Sequence, residues 1–211
     1  MIYGFCMRTT AAPARIKINV FTGGCKILGL DDIKENYFGK DSLRAATEDA
    51  MRSKMNDDFL KIDVVYSCID TSKFDPNYMK AYRSHWGEYA YTMERMLHKE
   101  IVKEVLTKLK KDLAKAEQDG QEYFNVAFLC RMGRHRSICL SRFARWCLER
   151  ANYVIENVVH TARILDGRKW ARDGLCTTCS DCKLSWMTHK TVREKVKHVQ
   201  EQVCRLWDEM V

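Results

Sequence analysis

Residues 124–150 leave this chain few folds to choose from. Phe124-Asn-Val-Ala-Phe-Leu-Cys130 is an apolar run of strand length, and Ser137 to Arg150 follows as a helix with Ile138, Leu140, Phe143, Trp146, Cys147 and Leu148 available for packing. Only six residues, Arg131-Met-Gly-Arg-His-Arg136, separate the two. A buried strand passing straight into a helix is the repeating step of α/β proteins, in which helices cover a mostly parallel sheet.

Other segments agree with that step. Ala14-Arg-Ile-Lys-Ile-Asn-Val-Phe21 alternates apolar and polar residues as a half-buried strand does, and Gly23-Gly24 is expected to end it. The stretch from Asp32 to Met55 is expected to hold a helix. Phe59-Leu-Lys-Ile-Asp-Val-Val-Tyr-Ser-Cys-Ile69 reads as a strand buried on both faces. Asp70 to Asn77 has turn chemistry. Met93, Met96, Leu97, Ile101, Val105, Leu106, Leu109 and Leu113 recur at three and four, which predicts one long helix over 92–118, stopped by Asp119-Gly120. Tyr153 to His160 reads as a further strand. Val192, Val196, Val199, Val203 and Leu206 step by four and three along an amphipathic C-terminal helix. A seam of about two heptads is expected to dock on its own domain rather than build a coiled coil. The fold class is therefore α/β, a mostly parallel sheet with flanking helices plus a C-terminal helical extension. The division expected is an α/β domain over 1–165, then a cysteine-bearing segment and amphipathic helix over 166–211.

Composition narrows the partners. No apolar run approaches the ~18 residues of a membrane span, so no membrane association is expected. Thirty-six Lys and Arg against 28 Asp and Glu give a net charge of +8, which favours anionic partners without naming one. The same excess also suits an ordinary solvated surface. Ten unevenly spaced cysteines, several inside apolar runs, suit a reducing and hence cytoplasmic compartment. Residues 1–14 lack the apolar core of a secretory signal, while the absence of acidic residues before Asp31 leaves room for a short transit peptide.

The loop carries the chemistry. A strand end opening a helix gathers unpaired backbone N–H groups and the positive end of the helix dipole, which suits an anion. Arg131, Arg134 and Arg136 supply guanidinium forks for phosphate or carboxylate oxygens, and Gly133 allows a left-handed backbone turn. The ligand-binding candidates are Cys130, Gly133, Arg134, His135, Arg136 and Ser137. Plainer roles exist for the single residues: a buried strand-end thiol for Cys130, a loop cap for His135, a solvated helix face for Arg142, Arg145 and Arg150.

The pattern Cys130-x-x-Gly133-x-x-Arg136-Ser137 resembles the phosphate-binding loop of cysteine-dependent phosphatases, where the Cys attacks phosphorus and the Arg holds the phosphoryl oxygens. The longer run Glu117 to Ser137 resembles the C-terminal domain of the bacterial RNase adapter RapZ family, whose loop reads Gly-Cys-Thr-Gly-Gly-(Lys/Arg)-His-Arg-Ser. Ile62 to Asp70 followed by Phe74-Asp-Pro-Asn-Tyr78 is similar to that family's "DVVIDCR…NPHY" region. The resemblance runs from roughly Arg15 to His160. Leu129, Arg131 and Met132 replace the family's first Gly, its Thr and its middle Gly. The family's nucleotide-binding domain has no counterpart motif here, so no nucleotide cofactor is expected. What the resemblance implies is a pocket for phosphate or a phosphorylated small molecule, RNA binding on a basic surface, and assembly into homo-oligomers.

The phosphatase alternative requires a general acid for the leaving group, for which Asp70 and Asp75 are the upstream candidates. The primary expectation is a binding domain with no catalytic residue. A second site is expected at Cys176-Thr-Thr-Cys179-Ser-Asp-Cys182. Two C-x₂-C steps bring three thiolates within reach of one tetrahedral zinc, which His189 could complete; reduced thiols in a turn are the alternative.

Overall fold

The computed structural model describes residues 16–30, 32, 41–68, 87, 90–165 and 190–210. In chain order the elements are β1 (Lys17–Gly24), α1 (Cys25–Leu28), α2 (Asp41–Met55), β2 (Val64–Ser67), α3 (Ala90–Leu97), α4 (Glu100–Gln118), β3 (Tyr123–Cys130), α5 (Arg136–Arg150), β4 (Val154–His160), α6 (Thr161–Leu165) and α7 (Lys190–Glu209). The four strands form one sheet in the order β2-β3-β1-β4, with every pairing parallel. This is the α/β fold that the sequence predicts. No helix among the described residues is long and apolar enough to cross a membrane.

The two-residue period of the strands builds two cores. Ile18 and Val20 of β1 and Phe124, Val126 and Phe128 of β3 face one way, into a cluster completed by α3, α4, α5 and α7. Phe21, Ala127, Leu129 and Val65 face the other way, against Leu28 of α1 and Leu43 and Met51 of α2. Helices thus cover both faces, as a parallel sheet requires.

Three expectations change in detail. Gly23 and Gly24 close β1 as expected but belong to the strand, which runs through Gly24 in register with Cys130. The helix expected over 92–118 is two helices. Lys99 is extended (φ −89°, ψ 136°) between them, so each segment can turn its own apolar stripe inward: Met93 and Met96 from α3, Ile101, Val105 and Leu109 from α4. Within the strand expected over 59–69, the register with β3 covers Val64–Ser67, flanked by backbone bonds from Asp63 to Asn125 and from Cys68 to Leu129. Leu60 and Ile62 are buried, but their backbones bond to α2 instead of the sheet: Arg52 Nε donates to the Leu60 carbonyl (2.6 Å), and Ile62 N–H to Glu48 Oε2 (2.7 Å). Phe59 is 95% exposed.

The C-terminal helix docks on the α/β core as expected. Val199, Val203 and Trp207 enter the same cluster as β1 and β3, and Lys195–Glu94 (2.5 Å) and Arg150–Asp208 (2.8 Å) pair across its edges. Residues 1–15, the turn at 70–77, the segment 166–189 and the Val192 side chain lie outside the described residues.

The crossovers position the site. From β1 the chain leaves through α1 and α2 on one face; from the adjacent β3 it leaves through α5 on the other. Neighbouring parallel strands whose chains depart to opposite faces open a crevice at their carboxyl ends, where ligands of such sheets bind. Gly24 and Cys130 end those two strands.

Candidate anion site

The loop from Cys130 to Ser137 lies in that crevice and is held from two sides. Lys26 N–H donates to the Arg131 carbonyl (3.0 Å) from the β1 side, and Gly87 N–H to the Arg134 carbonyl (2.9 Å) from the segment before α3. Both contacts need glycine. A Cβ on Gly24 would lie 2.6 Å from the Gly133 nitrogen, and one on Gly87 would lie 2.7 Å from Ile138 Cβ. Gly133 has φ +67°, a left-handed turn open to it at no steric cost. Met132, where the resembled family has glycine, presents its backbone to Gly24. Gly24 and Gly133 therefore supply the close approach, and a bulky residue fits between them.

The loop folds around the Cys130 sulfur. Gly133 N–H donates to Sγ (3.2 Å), and Ser137 Oγ lies 3.3 Å from it. Cys130 and Ser137 are buried, as are Arg134 and Arg136, at 9% and 5% exposure. Burial opposes ionisation of the thiol. The Arg136 charge, the Ser137 hydroxyl and the N–H groups of Ser137 and His135 outweigh it, so the Cys130 pKa is drawn below the ordinary thiol value. Helix α5 begins at Arg136, with Cys139 N–H bonding the His135 carbonyl (2.8 Å). Backbone N–H groups, the helix start and buried guanidinium groups all favour negative charge at one point.

All six predicted ligand-binding residues are brought together in this loop. Sequence reading passed over Gly24 and Gly87, which buttress it, and the polar pair next to it. Thr22 Oγ1 lies 2.8 Å from His160 Nδ1 across the β1–β4 ends, while Thr161 Oγ1 donates to the Thr22 carbonyl (2.8 Å). The glycine pair was visible as a signal but read only as a strand terminator. Thr22 and His160 carry no local signal, since only the β1–β4 register joins them.

Asp70, Asp75, Cys176, Cys179, Cys182 and His189 lie outside the described residues. Among the described residues no group of three or more His, Cys, Asp or Glu side chains could hold a metal ion. On α5, Arg145 pairs with Glu149 (3.3 Å), Arg150 with Asp208, and Arg142 lies 5.0 Å over the Trp146 ring. Comparison with known proteins gives one family: residues 61–163 match the RapZ C-terminal domain. No curated protein and no solved structure matches the chain.

Proposed function

Because residues 61–163 match the RapZ C-terminal domain, with the loop inside that span, we propose that the protein binds phosphate or a phosphorylated small molecule at Cys130, Gly133, Arg134, His135, Arg136 and Ser137. The observation that carries this reading is the convergence on the Cys130 sulfur of the Gly133 N–H, the Ser137 hydroxyl and the Arg136 charge, at the start of α5. Such a nest stabilises negative charge through fixed donors that need no rearrangement. Its position in the crevice between β1 and β3 is where a sheet of this topology admits ligand. The test is calorimetric titration with inorganic phosphate and with a phosphorylated and an unphosphorylated sugar. Phosphorylated species bind and the unphosphorylated sugar does not. Arg136→Lys weakens binding about tenfold, because an ammonium cannot present a bidentate fork. Equal affinity for both sugars would overturn the reading.

A second reading is favoured by one observation: the Cys130 thiol is more acidic than an ordinary cysteine although buried. A thiolate beside a buried arginine is a nucleophile for a phosphoryl group. In that case sulfur attacks phosphorus, Arg136 holds the equatorial oxygens, and Asp70 or Asp75 protonates the leaving group.

RNA binding, homo-oligomer assembly and a cytoplasmic location are further proposals that the family resemblance implies, and the net +8 charge suits an RNA partner. The α5 arginines contribute little free charge, since Arg145 and Arg150 are ion-paired. RNA affinity should fall steeply between low and physiological salt. Absence of affinity at low salt would remove RNA from the proposal.

A further inference from the structure

Cys147 and Cys204 take no part in the anion site, yet they meet face to face. They lie on α5 and α7, far apart in sequence and both buried within one core. Their contacts are reciprocal: Cys147 Sγ donates to the Val203 carbonyl (3.7 Å), and Cys204 Sγ to the Trp146 carbonyl (3.6 Å). Each sulfur thus rests against the peptide just before the other cysteine. We propose that Cys147 and Cys204 form a redox modification site, a dithiol that a peroxide converts to a disulfide stapling α7 to α5.

The pair is asymmetric in a way that assigns roles. The adjacent Cys147 thiol and, after it, the Arg150 guanidinium draw the Cys204 thiol below its ordinary value despite burial. The closeness of Cys204, together with burial, pushes the Cys147 thiol up. Cys204, the more exposed of the two (4% against 0%), is the attacking sulfur and Cys147 the resolving one. In the first step the Cys204 thiolate attacks one peroxide oxygen. An S–O bond forms, the O–O bond breaks, and the hydroxide released takes up the proton that Cys204 lost, giving water. In the second, Cys147 sulfur attacks Cys204 sulfur; the S–S bond forms, the S–O bond breaks, and the Cys147 proton leaves on oxygen as a second water. Two thiols and one hydrogen peroxide give one disulfide and two waters.

The consequence is structural. Helix α7 lies on α5 through Val199, Val203 and Trp207, and α5 begins at the anion loop. Oxidation would fix by a covalent bond what apolar contact holds in the reduced protein. The test uses the full chain treated with hydrogen peroxide and mapped by peptide mass spectrometry without reductant. A Cys147–Cys204 cross-linked peptide is expected in most chains, and dithiothreitol reverses it. In Cys147→Ala the resolving sulfur is missing, so Cys204 is trapped as a dimedone adduct of its sulfenic acid. Two results on the wild-type chain would overturn the proposal, whatever the variants do. One is that both cysteines stay reduced at peroxide doses that consume other thiols. The other is that Cys204 passes to higher oxides with no cross-link.

Discussion

Gly24 and Gly133 meet backbone to backbone: a Cβ added to Gly133 would stand 2.5 Å from the Gly24 nitrogen, although 108 residues separate them by number. This contact seats the anion loop on the end of β1. Two different costs can be separated there. Gly24 has φ −114°, open to any residue, so Gly24→Ala suffers the clash alone, about 1–3 kcal/mol. Gly133→Ala adds the left-handed backbone at φ +67°, a further ~1–2 kcal/mol. Gly29 also has positive φ (+76°) but open space around it, so Gly29→Ala meets the backbone cost alone, ~1–2 kcal/mol. Urea unfolding of the three variants should find Gly133→Ala the worst, with Gly24→Ala and Gly29→Ala each losing less. Equal losses would mean that the loop does not depend on this contact.

Much of this arrangement is legible in the sequence because it is local. β3, the loop and α5 follow one another without interruption, so period, glycine and arginines can be read together, and Gly133, Arg136 and Ser137 meet at the Cys130 sulfur. Long-range partners are where local reading stops. That Gly24 faces Gly133 depends on β1 pairing with β3, and that His160 meets Thr22 depends on β1 pairing with β4. The break at Lys99 is hidden because His98 and Lys99 are compatible with a helix, and the apolar spacing continues across them. The shortening of β2 is hidden too. Leu60 and Ile62 are as buried as strand residues, and only the bonds from Arg52 and to Glu48 show that α2 holds them.

The acidity of Cys130 fixes the sign of a pH effect. Burial raises the pKa, while Arg136 and the Ser137 and His135 donors lower it further, for a folded value below the ordinary one. The unfolded thiol titrates near ~8.5. A group with a depressed folded pKa contributes stability that is present above the unfolded value and lost as pH falls through the folded one. The stability difference between wild type and Cys130→Ser should therefore widen as pH rises from about 6 toward about 9. Urea midpoints at both ends of that range measure it, and a difference that narrows with rising pH would contradict the charge arrangement described.

Zinc at Cys176, Cys179, Cys182 and His189 is a separate proposal that rests on spacing. If the three thiolates and the imidazole hold a tetrahedral ion, protein purified without chelator carries about one zinc per chain. Cys179→Ser should lose the metal, and chelation should lower the melting temperature of wild type but not of the variant. Stoichiometric protein free of zinc would leave these residues as reduced thiols.

Binding and catalysis part company at the Cys130 sulfur. Both readings need Arg136, so phosphate affinity alone cannot separate them. If the protein is a phosphatase, the thiolate forms a phosphocysteine intermediate, and Cys130→Ser abolishes turnover while retaining ligand. If the loop only binds, the sulfur is a fixed acceptor for Gly133 N–H and Ser137, and a serine hydroxyl in its place restores most of those bonds. Affinity for phosphate should then change by a few-fold at most, with no turnover to lose. The function proposed above is binding. Wild type assayed with a generic aryl phosphate at pH 6–8 should accordingly release product no faster than Cys130→Ser. Hydrolysis that is robust in wild type, absent in Cys130→Ser and inhibited by inorganic phosphate would assign the loop to catalysis instead.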